Sequence, residues 1–156
     1  MTADIGREAV YAAEIAAFEG TAFESLAPYR ELVELAELIT GGSWWPHGEI
    51  EVVTARSDAS SSSTRQSGGR RPVVRLAAPQ MTSATLVHEF AHVLASVAEG
   101  HGAVFRRAHV DLAGFVFGEE PALWLLDGYA AMGLEAGLRT WEAPLVRRAA
   151  GGPVAL

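Results

Sequence analysis

The chain contains no cysteine, which excludes disulfides and thiolate metal sites, so a bound metal ion has to rest on His, Asp or Glu. The same absence rules out a cysteine-type zinc ribbon for gripping nucleic acid. Basic charge is also scarce: 12 Lys and Arg stand against 19 Asp and Glu, a net charge of −7. Autonomous nucleic-acid binding, which needs a basic surface for phosphate contacts, is therefore not expected. The pairs Arg70-Arg71, Arg106-Arg107 and Arg147-Arg148 read as solvated surface. No apolar run approaches the roughly 20 residues of a membrane helix, so no membrane association is expected. The opening residues, Met1 to Glu8, are polar and acidic and unlike a secretory signal, which points to a cytoplasmic location.

What remains is an ordinary globular composition in 156 residues, enough for one domain with its own core. Val10, Tyr11, Ile15 and Phe18 repeat at helical spacing and predict a helix over 7–18. A second helix is predicted from Pro28 through Leu32, Leu35, Ala36 and Ile39, stopping at Gly41-Gly42. Alternation predicts strands at 49–54 and 73–77. The Ser/Gly-rich stretch Ser57–Gly69 between them has little to pack and reads as a flexible hairpin tip. A helix over 82–98 follows, with Val87, Phe90, Ala91, Leu94 and Ala98 as its core stripe and Gly100 as its stop. Further helices are expected over 102–117 and 121–138. Residues 1–140 then form a single domain, and 141–156 a C-terminal tail frayed around 149–153. The fold class is α+β: a compact, mostly helical domain with a small β-sheet packed beside the helix over 82–98.

That helix carries the sequence His88-Glu89-Phe90-Ala91-His92. At 3.6 residues per turn the two histidines share one face, where both imidazoles can hold one metal ion, and Glu89 lies within reach of a water on that ion. His88 and His92 fall at the margin of the apolar stripe, as suits ligands that face a cleft. With five His and fifteen Glu in the chain, the pattern arises by accident in roughly 1–2% of such sequences.

A catalytic zinc usually takes three protein ligands and keeps a fourth position open. His101 is the best candidate for the third, because Gly100 permits a chain reversal just before it. A helix running four to six residues past His92 travels roughly 6–9 Å, and the extended residues before His101 span about 10–13 Å on the way back. His109 lies about 12 Å further along the next helix and faces apolar neighbours, so it reads as a core histidine or a support to a ligand. Glu99 stands about 10 Å from His92 along the motif helix and ranks well below His101. His47 sits in a turn without metal spacing. Asp111 and Asp127 are open alternatives for orienting a ligand imidazole or simply lying on helix surface.

His88-Glu89-x-x-His92 followed by Gly100-His101-Gly102-x-x-Phe105-Arg106 resembles the SprT-like zincins, and more closely a family of zinc metallohydrolases from actinobacteria. Val10-Tyr11-Ala12-Ala13-Glu14, Trp45-Pro46 and the strand before the motif helix extend the likeness over about residues 7–140. The resemblance implies a zincin-like domain with Zn2+ on His88, His92 and His101 and with Glu89 as catalytic carboxylate. The chain departs from the DNA-associated SprT-like proteases in its acidity and in lacking a C-terminal zinc module. The expected activity is that of a zinc metallopeptidase on a peptide or protein substrate, with Glu89 as general base. Hydrolysis of another amide, or a non-catalytic, zinc-stabilised regulatory or partner-binding module, are the alternatives. Tyr129 as an oxyanion donor is weighed against a satisfied core hydroxyl, and Trp44-Trp45 as substrate contacts against packing. The strand over 73–77, with Pro72 and Arg75, is a candidate edge for pairing an extended peptide.

Overall fold

A computed structural model of the chain describes Asp4, residues 6–148 and residues 151–155. The described residues form five helices, α1 (Arg7–Phe18), α2 (Tyr29–Thr40), α3 (Ser83–Ala95), α4 (Ala103–Val116) and α5 (Glu119–Ala131), and a three-stranded sheet of β1 (Glu51–Thr54), β2 (Ser63–Arg65) and β3 (Val73–Leu76) that packs on α3. A separate pair, β4 (Leu145–Arg148) and β5 (Gly151–Ala155), closes the described chain. This is the expected α+β arrangement, with β2 and β3 beside α3. No described helix is long and apolar enough to cross a membrane.

The sheet departs from the expected hairpin. β1 and β3 run parallel, Glu51 opposite Val73 and Thr54 opposite Leu76. A parallel pair cannot be joined by a tight turn and needs a crossover of a dozen or more residues. The intervening chain uses part of that crossover to lay β2 antiparallel against the other side of β3. Ser62 fastens it: its hydroxyl accepts from the Ala77 amide at 2.9 Å, and its own amide donates to Gln80 Oε1 at 2.6 Å. Part of the Ser57–Gly69 stretch is therefore ordered sheet, and β3 is the central strand, not an edge.

α3 forms the middle of the domain. Thr82 caps its start by accepting from the Thr85 amide at 3.1 Å. Leu86, Val87, Phe90, Ala91 and Val93 are fully buried and Leu94 nearly so, whereas Ala98 of the expected core stripe is exposed. The helix stops earlier than its apolar pattern suggests, at Ala95. Ser96 takes φ 88°, an unusual value for a residue with a side chain, and a 3-10 turn over Val97–Glu99 follows. α5 likewise ends at Ala131, short of 138. At the other end of the chain, β4 packs on α4 and Val146 is buried, so residues 145–148 belong to the domain. The expected fraying at 149–150 lies outside the described residues, and the rest of that stretch joins β5.

α1 crosses α5 where Gly128 meets Ala13. A Cβ at Gly128 would stand 2.8 Å from the Ala13 carbonyl oxygen and 3.3 Å from its Cα. Because the obstacle is backbone, Gly128→Ala is expected to destabilise the domain by about 1–3 kcal/mol, read as a lower denaturant midpoint at unchanged slope.

Candidate metal centre

His88 and His92 project from successive turns of α3, and His101 comes from the short link into α4. The early end of α3 brings the link back. Gly100 adopts φ 55°, a backbone conformation that favours glycine, and a Cβ there would press on the Asp4 carboxylate at 2.9 Å. The three histidines bring one ring nitrogen each to within 4.8 Å of one another. Their centroids are 4.6–5.2 Å apart, and Phe105, fully buried, lies against all three rings.

Carboxylates fix which nitrogens point inward. His88 Nδ1 donates to Glu14 of α1, with both carboxylate oxygens at 3.1 Å. His101 Nδ1 donates to Asp4 Oδ2 at 2.5 Å, and the His101 amide donates to Oδ1 at 3.1 Å. With the Nδ1 atoms turned to the carboxylates, the Nε2 atoms of His88 and His101 face each other at 3.2 Å. Two ring nitrogens at that separation need a shared proton or a cation between them. The spacing matches the about 3.3 Å expected between nitrogens of a tetrahedral ion with bonds of about 2.0–2.1 Å. The donor set of three imidazoles fits zinc.

Burial, with His88 and His101 close by, lowers His92 to about 3, so it offers a lone pair at neutral pH. Burial also lowers His101, partly opposed by Asp4. Burial works to raise Glu14, but His88 and His109 outweigh it and hold the carboxyl below the usual range. For His88, burial is overcome by Glu14, and the imidazole is raised.

Glu89 is buried beside His88, and its own burial raises its carboxyl against the pull of His88 and Thr64. Thr64 of β2 donates its hydroxyl to Glu89 Oε2 at 2.6 Å. Glu89 and His88 reach a cavity of about 460 Å³ that is walled by Arg7, Tyr11 and Glu14 on one side and by Ser61 and Ser62 on the other. Tyr11 stacks on His88, centroids 5.5 Å apart, and carries the Arg7 guanidinium over its own ring. No family model, curated protein or solved structure matches this chain.

The remaining candidates lie elsewhere. Glu99 is exposed on the 3-10 turn, and His47 is exposed with its Nε2 3.4 Å from the Leu94 carbonyl. His109 is buried and touches Glu14, as a support and not as part of the three-histidine cluster. Asp111 is buried under Arg139 and Trp141, and Asp127 is exposed, so neither orients a ligand. The Tyr129 hydroxyl is 2.6 Å from His109 Nδ1 in the core. Trp44 and Trp45 pack on Phe115 and Phe90.

Sequence reasoning missed Glu14, Asp4, Thr64 and Tyr11 as parts of this centre. Glu14 alone left a signal, a carboxylate on the stripe of Val10, Ala13 and Ala17. Asp4→Ala is expected to weaken zinc binding roughly 10- to 100-fold. Because the Asp4 side chain is 35% exposed, the melting temperature of the metal-free protein should barely change. Competition titration with a chelator measures the first effect, and unchanged affinity would show that Asp4 does not orient His101.

Proposed function

We propose that the chain is a zinc-dependent metallohydrolase, acting as a metallopeptidase through His88, His92, His101 and Glu89. The observation that carries this reading is the cluster of three imidazoles, with Nε2 of His88 and His101 3.2 Å apart, and a buried carboxylate beside them at a cavity. When bound, zinc supplies an activated water and a positive charge that polarises the scissile carbonyl. Glu89 accepts the proton of the attacking water and returns it to the leaving amine. Thr64 holds Oε2 and so leaves Oε1 for that exchange. Burial around Glu89 keeps competing water away and strengthens each charge interaction.

Two features support a peptide as substrate. β2 is an edge strand of its sheet, and it runs beside the cavity with Thr64 on Glu89 and Ser61-Ser62 in the wall. An extended peptide paired to that edge would pass its carbonyls over the centre. Tyr11, which lines the cavity, offers the hydroxyl that Tyr129, bonded within the core, does not.

Wild type is expected to bind one zinc. Glu89→Gln should keep the metal and lose roughly 10²- to 10⁴-fold in turnover on a peptide library. His101→Ala should lose most of its zinc affinity. Thr64→Val should keep zinc and turn over more slowly than wild type but faster than Glu89→Gln. Zinc binding without any hydrolysis by wild type would favour a zinc-stabilised binding module, and full activity in Glu89→Gln would remove Glu89 as the base.

A further inference from the structure

We propose that His109 and Tyr129, which belong neither to the three-histidine cluster nor to the lining of the cavity, are positioning residues that hold His88 in place through Glu14. This rests on the metal-site reading above. Both residues are fully buried, and the three-histidine centre uses neither. Tyr129 on α5 places its hydroxyl 2.6 Å from Nδ1 of His109 on α4. Nε2 of His109 stands 3.3 Å from Glu14 Oε1, an ion-pair distance, and makes no hydrogen bond among the described residues. Glu14 on α1 meets Nδ1 of His88 on α3 with both oxygens at 3.1 Å.

With His109 and His88 neutral and Glu14 ionised, the protons along this chain have one consistent placement. The tyrosine hydroxyl donates to Nδ1 of His109, which leaves the His109 proton on Nε2, facing Glu14. The Glu14 carboxylate then meets N–H groups of His109 and His88 together, and His88 keeps Nε2 bare for a metal ion. Two donors matter because the terminal torsion of a glutamate is broad and weakly held. Held by His88 alone, the Glu14 carboxylate can turn toward the cavity it lines and take the imidazole with it. His109 removes that freedom, and Tyr129 keeps the His109 proton on the correct nitrogen.

The same three side chains, Glu14, His88 and His109, bring ligand atoms to within 4.8 Å of one another, a spacing that a cation would also accept. The two arrangements differ in a measurable proton. A cation on Nε2 of His109 would force the proton onto Nδ1 and turn Tyr129 into an acceptor.

The test is zinc titration of the full chain as wild type, Tyr129→Phe, His109→Leu and His109→Gln, with the His109 tautomer read by nitrogen-15 NMR in the wild type. The expected result is one zinc in wild type, with His109 carrying its proton on Nε2. His109→Leu and Tyr129→Phe should weaken zinc roughly 10- to 100-fold. His109→Gln should recover most of that loss, because its amide N–H can replace the Nε2 donor. Metal-free His109→Leu and His109→Gln should melt alike, which a mere packing role would not couple to different zinc affinities. Wild-type affinity in Tyr129→Phe and His109→Leu would overturn the proposal. So would a glutamine variant as weak as the leucine one, or a second zinc bound with the His109 proton on Nδ1. If His109→Leu does not fold, Tyr129→Phe and the tautomer decide. A wild type that takes up no zinc overturns the metal-site reading itself, whereas one zinc with unaffected variants overturns only the positioning role.

Discussion

Glu14 is a carboxylate placed where α1 would otherwise present an apolar side chain, and much of the domain is arranged around satisfying it. An ionised group taken out of water at that depth is tolerated only where donors meet it. Here the donors come from two other helices, His88 on α3 and His109 on α4. That requirement fixes which faces of α1, α3 and α4 turn toward one another. It also demands that α1 lie close to the centre, which the contact of Gly128 with the Ala13 backbone allows. The buried charge thus selects a helix arrangement that apolar burial alone would leave loosely specified, because Leu and Val stripes tolerate rotation better than a bonded carboxylate does.

Charge balance around the centre follows from the same residue. Glu14, Asp4 and Glu89 bring three carboxylates to the neighbourhood of three imidazoles. If the imidazoles are neutral, the site is strongly negative, and a divalent cation removes most of that excess. Burial raises Glu89, with a smaller push from Glu14, while the attraction of Glu14 raises His88 against its own burial. Asp4 serves His101 as Glu14 serves His88. The difference is burial: the Glu14 side chain is 13% exposed and the Asp4 side chain 35%. The His101 side of the centre is therefore held by a contact that water can compete for.

The α3 histidines were legible in the sequence because helix periodicity alone places His88 and His92 together. His101 was legible because Gly100 announces a reversal, although the geometry that achieves it was not. The expected path ran the helix past Ala95 and returned in extended chain, whereas the structure stops α3 at Ser96 and turns through 97–99. Nothing in the apolar pattern marks that stop, since Val97 and Ala98 continue the helical composition. Asp4 and Thr64 were not legible because they reach the site from remote segments, through contacts that only the tertiary fold creates. The parallel pairing of β1 with β3 was hidden for a related reason: alternation reports a strand but not its partner.

The Ser57–Gly69 stretch shows why low apolar content is a poor guide to whether a segment is structural. β2 needs no apolar side chains of its own, because backbone pairing to β3 and the Ser62 contacts hold it in place. What its position requires is a small hydroxyl aimed at a buried carboxylate. An apolar residue at position 64 would fill the space and strip Glu89 of its one side-chain donor. Composition that looks like a tether is, at this strand, the composition demanded by the neighbouring carboxylate. The polar crossover and α3 are thus joined where Thr64 meets Glu89.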